Sequence, residues 1–268
     1  MSANTLSPRR WRKQPFIANP WLRWGLIVGA AVYLYLAINS VPINWPRIVV
    51  GLDSGWKFIK GFLDPNFKSR HEEIVDGMIE SLAMTVIATV IGIALSIPVA
   101  LGASRNLAPA PVYYFCRFII VASRTFQEVI IAILFVTMFG FGMVAGVATI
   151  SFATIGFMAK LLAEDIESID PGQAEAVRAT GASWLQWLNY GIQPQVLPRF
   201  IGLSLYRVDI NFRESAVVGI VGAGGIGASL RTAFSRYEYD VAAAILILII
   251  AIVFFCEYSS SLIRKRVQ

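Results

Sequence analysis

Long apolar runs separated by short polar segments make up most of this chain of 268 residues. A helix needs about 20 mostly apolar residues to cross the hydrocarbon core of a bilayer. Six runs reach that length, and we predict that each forms one membrane-spanning helix. The predicted spans cover residues 24–41, 79–102, 113–139, 142–163, 196–218 and 240–262. The pattern therefore predicts an all-α polytopic membrane protein with six transmembrane helices.

Charged residues interrupt the third of these runs at Arg117, Arg124 and Glu128. Its apolar pieces are too short to cross a membrane separately, so we predict a single helix that contains charges. The composition agrees with a membrane protein, since 56% of the residues are hydrophobic and only 15% are charged. Soluble domains contain about 45–50% apolar and about 25% charged residues.

Basic residues cluster at both ends of the chain, whose net charge is +6. The clusters consist of Arg9, Arg10, Arg12 and Lys13 near the start and Arg264, Lys265 and Arg266 near the end. Cytoplasmic flanks of membrane helices are enriched in Lys and Arg, so we expect both termini in the cytoplasm. The basic N-terminus, 1–23, and the tail, 263–268, then lie inside together with the segment 164–195. The segments 42–77 and 219–239 lie outside.

The outer segment 42–77 carries several aromatic residues between its charges. They include Trp45, Trp56, Phe58 and Phe62. Aromatic and basic residues in this mixture suit an amphipathic helix lying on the membrane surface, and a plain loop is the alternative.

The chain has few residues suited to catalysis or metal binding. Its two cysteines, Cys116 and Cys256, lie inside apolar runs, and their spacing fits neither a disulfide framework nor a metal site. Its single histidine, His71, lies in a polar segment that we predict to be a solvated loop. The sequence therefore disfavours an enzyme and predicts no metal.

Glycines Gly222, Gly224 and Gly227 match the pattern G-x-G-x-x-G of dinucleotide-binding enzymes. That pattern must follow a strand in a βαβ unit, whereas here it follows an apolar helical run, and the sequence contains no G-x-x-x-x-G-K-[ST] phosphate loop. Glycines at the end of a membrane helix let backbones approach closely, so we expect a gate or a tight turn here. The predicted gate residues are Gly219, Gly222, Gly224, Gly225 and Gly227.

Two short helices are predicted in the cytoplasmic segment 164–195. Asp170 can cap the first helix, with Pro171 at its first position, and Gly181 breaks it after about Thr180. The second helix, over about 183–190, presents apolar residues, and prolines follow it. These residues are Trp184, Leu185, Trp187 and Leu188, with Pro194 and Pro198 expected to stop the helix. This helix pair either docks a partner or packs as a structured loop on its own membrane domain.

The segment resembles the "EAA" coupling loop of ABC importer permeases, in which E-A-x-x-x-x-G precedes a proline. Glu175, Ala176, Gly181 and Pro194 occupy the expected places. The chain departs from the pattern at Val177, Gly191 and Gln193. Over about 70–268, and more weakly in the first span and the turn FLDPNF (62–67), it is similar to the permease subunit of phosphonate importers, including phosphite-importing relatives. The similar stretches are SRTFQEVIIAILFV (123–136), SIDPGQAEAVRATGAS (168–183), YGIQPQVLP (190–198) and LYRVDINFRESAVVGIVGAGGIG (205–227).

The resemblance implies a type I ABC importer permease core over 78–262, located in the bacterial inner membrane. It implies as partners a second permease copy, two cytoplasmic ABC ATPase subunits, a periplasmic or lipid-anchored binding protein and membrane lipid, but no nucleic acid. ATP and Mg²⁺ belong to the partner ATPase, so no cofactor is expected on this chain. The residues implied to contact the ATPase are Glu175, Ala176, Gly181, Ala182, Trp184 and Pro194.

Charges inside the predicted spans either form internal ion pairs or mark a substrate path. Arg124 with Glu128 and Asp209 with Arg213 are four residues apart and would share a helix face. Arginines offer forked donors to a tetrahedral phosphorus oxyanion. The candidate path residues are Arg124, Glu128, Arg213 and Arg207, the last lying seven residues before Glu214.

The function that these features favour is the transport subunit of an ATP-driven importer of phosphonate or a related phosphorus oxyanion. A phosphate-type or methionine-type importer is the nearest alternative. A channel or secondary transporter working alone is a further one, and the coupling loop argues against it.

Overall fold

The computed structural model describes residue 17, residues 19–40 and residues 44–267, and within these residues all regular structure is helical. The helices are α1 (Pro20–Ser40), α2 (Trp45–Leu63), α3 (His71–Ala103), α4 (Ala110–Thr125), α5 (Glu128–Phe139), α6 (Met143–Glu167), α7 (Pro171–Ala179), α8 (Trp184–Trp187), α9 (Gln193–Val218), α10 (Gly225–Ser235) and α11 (Tyr239–Val267). Two π-helical turns, Leu188–Ile192 and Gly219–Ala223, lie before and after α9. The all-α prediction is confirmed.

The chain forms two compact units, which divide between Gly55 and Trp56. The first unit contains α1, a helix of 21 residues without a buried side chain. Because its whole circumference is apolar and open, α1 has the character of a helix surrounded by lipid. It matches the predicted first span, 24–41, except for residue 41, which lies outside the described residues. The basic cluster of Arg9, Arg10, Arg12 and Lys13 also lies outside them, and so do the side chains of the predicted tail.

Small residues let the helices of the second unit pack closely. A side chain at Gly92 of α3 would overlap Thr154 of α6, and one at Gly156 of α6 would overlap Ser123 of α4. Buried apolar clusters fill the remaining space. One of them joins the start of α3 to α9, α10 and α11, and another joins the end of α3 to α4, α6 and the start of α9.

The prediction of one helix over 113–139 is wrong. The run forms two helices, α4 and α5, whose axes differ by 96°. Phe126 and Gln127 between them have extended backbone, with ψ of 134° and 140°. No glycine or proline marks this break, so its cause is tertiary: Glu128 begins α5 and lies beside the charged groups of α9.

Four helices, α1, α3, α6 and α11, are each long and apolar enough to cross a membrane. The helical stretch 184–223, which has a kink at Gly222, forms a second bent pair with α10 at an angle of 58°. Counting each bent pair as one span gives six, the predicted number, among the residues described.

Two further boundaries differ from the prediction. His71 is the first residue of α3 and does not lie in a loop. Pro194 and Pro198 do not stop the second cytoplasmic helix, since both lie within α9. Pro194 lies in the first turn of α9, directly after the π turn. A proline is tolerated there because its missing N–H group would not be needed for a hydrogen bond within the helix. The outer segment contains α2, a helix as predicted, and its position on a membrane surface stays a prediction.

Candidate functional site

The helix pair predicted at 170–190 is confirmed as α7 and α8. The side chain of Asp170 accepts a hydrogen bond from the Gly172 amide at 2.9 Å, which caps α7. Gly181 has a φ of +79°, a conformation that glycine adopts without steric cost, and it separates the two helices. Ser183 and Gln186 then form a capping box that starts α8.

Contacts between the two helices fix their relative position. The indole Nε1 of Trp187 donates a hydrogen bond to the carbonyl oxygen of Ala174 at 2.9 Å. The guanidinium of Arg178 lies 5.3 Å from the centre of the Trp187 ring. Gly191 lies against Ala174, where an added Cβ would come within 3.3 Å of the Ala174 Cα. This close approach explains why glycine stands at a position where the coupling-loop pattern has isoleucine.

The surface of this helix pair is apolar at its tip. Trp184 and Leu185 are 54% and 63% exposed, and Glu175, Ala176 and Pro194 are exposed as well, whereas Ala182 is half-buried. A tip of this kind, held by a short rigid helix pair, has the properties of a docking element. From here on, α7, α8 and the connection between them are called the coupling element.

The glycine segment, residues 219–227, is tightly packed in the structure. Gly219 and Gly227 touch so closely that a side chain on either would overlap the backbone of the other. Gly222, Gly224 and Gly225 have φ values of +106°, +81° and +68°. The segment therefore turns the chain from α9 into α10 through conformations that favour glycine.

Neighbouring helices hold this segment in place. The Ile226 amide at the start of α10 donates a hydrogen bond to Ser81 Oγ of α3 at 2.9 Å. The Gly142 amide donates to the carbonyl oxygen of Gly222 at 3.0 Å. A side chain at Gly222 would overlap the ring of Phe141. The segment thus closes against α3 and against the connection between α5 and α6.

Arg207 is the most buried charge of the path candidates, with 3% of its surface exposed. It forms an ion pair with Glu214 at 3.1 Å and donates a hydrogen bond from Nε to Thr154 Oγ1 at 3.2 Å. Glu128 lies near Arg207 and within hydrogen-bonding reach of Glu214. These charges face one another in the interior of the bundle.

Asn211 extends this polar network, and sequence reasoning missed it. Its amide nitrogen donates to Thr89 Oγ1 at 2.7 Å and to Thr154 Oγ1 at 3.1 Å. The residue is fully buried and connects α3, α6 and α9. The available signal was an amide at the centre of the charged stretch 207–214, where the sequence analysis considered only the charged residues.

The two pairs predicted from four-residue spacing have different outcomes. Arg213 binds Asp209 as predicted, with the Arg213 side chain 51% exposed and that of Asp209 buried. Arg124 and Glu128 do not share a face, because the helix breaks between them. The Arg124 side chain is exposed and forms neither an ion pair nor a hydrogen bond with the part of the chain that the structure describes. Its stem lies against Gly156 of α6.

The structure brings no three acidic, histidine or cysteine side chains together as metal ligands within residues 17, 19–40 and 44–267. Arg117, the first of the charges that interrupt the third apolar run, forms an ion pair with Glu167 at 2.9 Å. It also donates to the carbonyl oxygen of Ala103 at 2.9 Å. It thereby joins the middle of α4 to the ends of α3 and α6.

Residues 92–268 match the family described as the binding-protein-dependent transport system inner membrane component. The chain belongs to this family. The matched residues include the coupling element, the charged part of α9 and the glycine segment. The resemblance deduced from Glu175, Ala176, Gly181 and Pro194 is therefore confirmed, and the chain is a permease component rather than an enzyme.

Two relatives are similar to this chain over most of its length. The phosphate-import permease protein PhnE of Mycolicibacterium smegmatis is 39% identical over 246 residues, which are 90% of this chain and 45% of that relative. The chain thus spans less than half of the mycobacterial protein. The phosphite transport system permease protein PtxC of Stutzerimonas stutzeri is 35% identical over 256 residues, which are 95% of this chain and 90% of the relative.

A solved structure shows the same fold. It is an inward-facing conformation of the MetNI methionine ABC transporter, and its matching chain has a TM-score of 0.65 and 24% sequence identity. The match covers 75% of this permease and 99% of that chain. The predicted type I importer permease core is confirmed at the level of the fold.

The buried network predicts a large difference between two arginines. Replacing Arg207 with alanine should lower the free energy of unfolding by about 3–5 kcal/mol, because Glu214 then stays buried without its cation. Arg124→Ala is the matched control, and since it removes an exposed side chain it should change stability by about 0.5 kcal/mol or less. Thermal unfolding of the two purified variants in detergent measures this difference. Equal midpoints would contradict a structural role for Arg207.

Proposed function

We propose that this permease is the transmembrane subunit of an ATP-driven importer of a phosphorus oxyanion: phosphonate, phosphite or phosphate. The observation that carries the proposal is the coupling element, a capped helix pair with exposed apolar residues, in a chain of this transport family. The names of the two curated relatives, which concern phosphate and phosphite, support the substrate class. A tetrahedral oxyanion also suits the forked donors of arginine.

The coupling element docks a cytoplasmic ABC ATPase in this proposal. Trp184 and Leu185 supply the apolar contact, and Glu175 supplies a charge beside it. The other residues that we assign to this contact are Ala176, Gly181, Ala182 and Pro194. The helix that starts at Trp184 continues through α9 as far as Val221, where the non-helical Gly222 follows, so movement of α8 is passed along α9 to the glycine segment. ATP and Mg²⁺ are bound by the ATPase.

The assembly contains two copies of this permease, two ATPase subunits and a binding protein that delivers the substrate from outside. Both termini and the coupling element lie in the cytoplasm, and the glycine segment lies on the outer side. Two-fold symmetry supplies each arginine twice around the axis. The basic ends of the chain support this orientation in a bacterial inner membrane.

Arg124 and Arg213 form the substrate path in this proposal, because their side chains are exposed in α4 and α9, which belong to the two bent helix pairs. An exposed charge facing lipid is costly, so each requires water, substrate or a second copy beside it. Arg207 and Glu128 were path candidates as well. Arg207 is buried in the polar network and Glu128, which is half-buried, lies beside it, so both favour a role in holding the bundle. The glycine segment, Gly219, Gly222, Gly224, Gly225 and Gly227, is the outer gate.

Uptake by proteoliposomes tests the function directly. The vesicles contain the permease with the ATPase and binding protein that co-purify with it, and ATP is supplied on the ATPase side. We expect ATP-dependent accumulation of labelled phosphate or phosphite, reduced by excess methylphosphonate and unaffected by methionine. Uptake without ATP would indicate a secondary transporter. Uptake of methionine but of no phosphorus oxyanion would contradict the proposed substrate class.

Gly181 is predicted to be required for coupling. Valine at this position must adopt positive φ at a cost of about 1–2 kcal/mol, although no neighbouring atom would touch its Cβ. We expect Gly181→Val to reduce ATPase recovery and ATP-driven uptake about five- to thirtyfold, the factor that this cost implies. Gly181→Asn is the matched control and should retain more of both, since asparagine tolerates this conformation. Equal uptake by both variants and the parent would show that the left-handed hinge is unnecessary.

A further inference from the structure

Residues 56–73 hold the turn that connects α10 to α11. The ring of Phe58 lies 6.0 Å from that of Phe234 at the end of α10 and 5.3 Å from that of Tyr239 at the start of α11. Gly61 packs so closely that an added Cβ would lie 2.6 Å from the Cβ of Tyr239. The second half of α2 therefore rests directly on this turn.

Arg70 provides the main polar contact between these parts. Its Nη2 donates a hydrogen bond to Glu238 Oε1 at 3.2 Å, and its Nε lies 2.8 Å from Glu238 Oε2 as a second charge contact. Its Nη1 also contacts Glu73 at 2.7 Å. The hydrogen bond to Glu73, followed by that to Glu238, raises the pKa of Arg70 above its ordinary value. Arg70 thus joins the start of α3 to the turn before α11.

Asn66 adds a second contact beside the first. Its backbone amide donates to the carbonyl oxygen of Asp240 at 3.1 Å, and its side-chain nitrogen donates to Asp240 Oδ2 at 3.3 Å. Its side-chain oxygen accepts from the amides of Lys68 and Ser69 at 3.0 and 3.1 Å. The turn between α2 and α3 is therefore ordered by its own hydrogen bonds while it holds Asp240.

The turn that these contacts hold is strained. Tyr237 has a φ of +60° and is the single residue other than glycine with positive φ among those that the structure describes. Its ring is 76% exposed and lies 6.2 Å from that of Tyr239, and the Glu238 amide donates to the carbonyl oxygen of Ala233 at 3.0 Å, the bond that accompanies a left-handed residue at a helix end. A strained backbone persists when its surroundings hold it in place. Arg70 binds Glu238, the residue directly after the strained position.

The glycine segment lies at the start of α10, and the turn to α11 lies at its end. α10 has 11 residues, beginning at Gly225 and ending two residues before Tyr237. Along α10, Ser229 Oγ donates to the carbonyl oxygen of Glu73 at 3.3 Å. Displacement of the turn between α10 and α11 would therefore move α10 away from α3 and pull on Gly219–Gly227.

We propose that Arg70 and Asn66 form a latch on the turn between α10 and α11, which keeps α10 on α3 and the glycine segment closed. Arg70 is a positioning residue in this inference, because it acts on the glycine segment through Glu238 and α10. The latch itself is independent of the transported substrate. Its importance as a gate control rests on the function proposed above.

Thiol labelling measures the opening of the latch without requiring transport. Ala223, which is fully buried in the glycine segment, is replaced by cysteine in a background where Cys116 and Cys256 are alanine. We expect Arg70→Gln and Glu238→Gln each to raise the maleimide labelling rate of Ala223→Cys about fivefold, as loss of one ion pair allows. Arg70→Lys keeps the charge and should stay within about twofold of the parent.

Two controls separate a local latch from general loosening. Lys68→Gln removes a positive charge from the same turn without touching Glu238, and it should leave the labelling rate unchanged. Ala159→Cys, buried in α6, should stay protected in Arg70→Gln. Equal rates in Arg70→Gln and Lys68→Gln, or labelling of both buried cysteines, would overturn the latch. Absence of ATP-driven uptake in the parent would count against the proposed function alone, because the labelling result does not depend on uptake.

Discussion

Polar groups in the hydrocarbon core of a membrane have no water to bind, so the protein must satisfy them itself. In this permease one buried network meets that requirement and connects the helices at the same time. Asn211 binds hydroxyl groups of α3 and α6, and Arg207 binds Thr154 and Glu214 in the same region. The packing of α3, α6 and α9 depends on these bonds, because separating the helices would leave each group unpaired.

Elements with a local sequence signal could be predicted, and those that depend on contacts between helices could not. Hydropathy predicted the apolar runs, and cap chemistry predicted α7 and its end at Gly181, because these signals are local. The break between α4 and α5 has no local signal. It moves Glu128 from the expected face beside Arg124 to the interior beside Arg207 and Glu214. The break between α4 and α5 thus depends on charges that come from another helix. Spacing along a single run carries no information about such a contact.

The continuity of α8 with α9 has a similar origin. Prolines at 194 and 198 indicated an end to the helix, but the π turn 188–192 carries the helical path past them. As a result, α8, Arg213 and the first residues of the glycine segment belong to one helical stretch, which Gly222 interrupts with a φ of +106°. The residues assigned to docking, to the path and to the gate are thus connected through the backbone of α9. Motifs identified these residues one at a time, while their connection required the structure.

Arg207 and Arg213 each have an acidic partner. Arg124, which is exposed in α4, has none in the part of the chain described. The proposed substrate path requires water beside this side chain. In a background with alanine at Cys116 and Cys256, Arg124→Cys of the assembled importer in vesicles should react with a charged, membrane-impermeant thiol reagent. Phe118→Cys, at another exposed position of α4, should not react if it faces lipid. Labelling of position 124 alone is the result that the account predicts, and an unreactive cysteine at position 124 would contradict it.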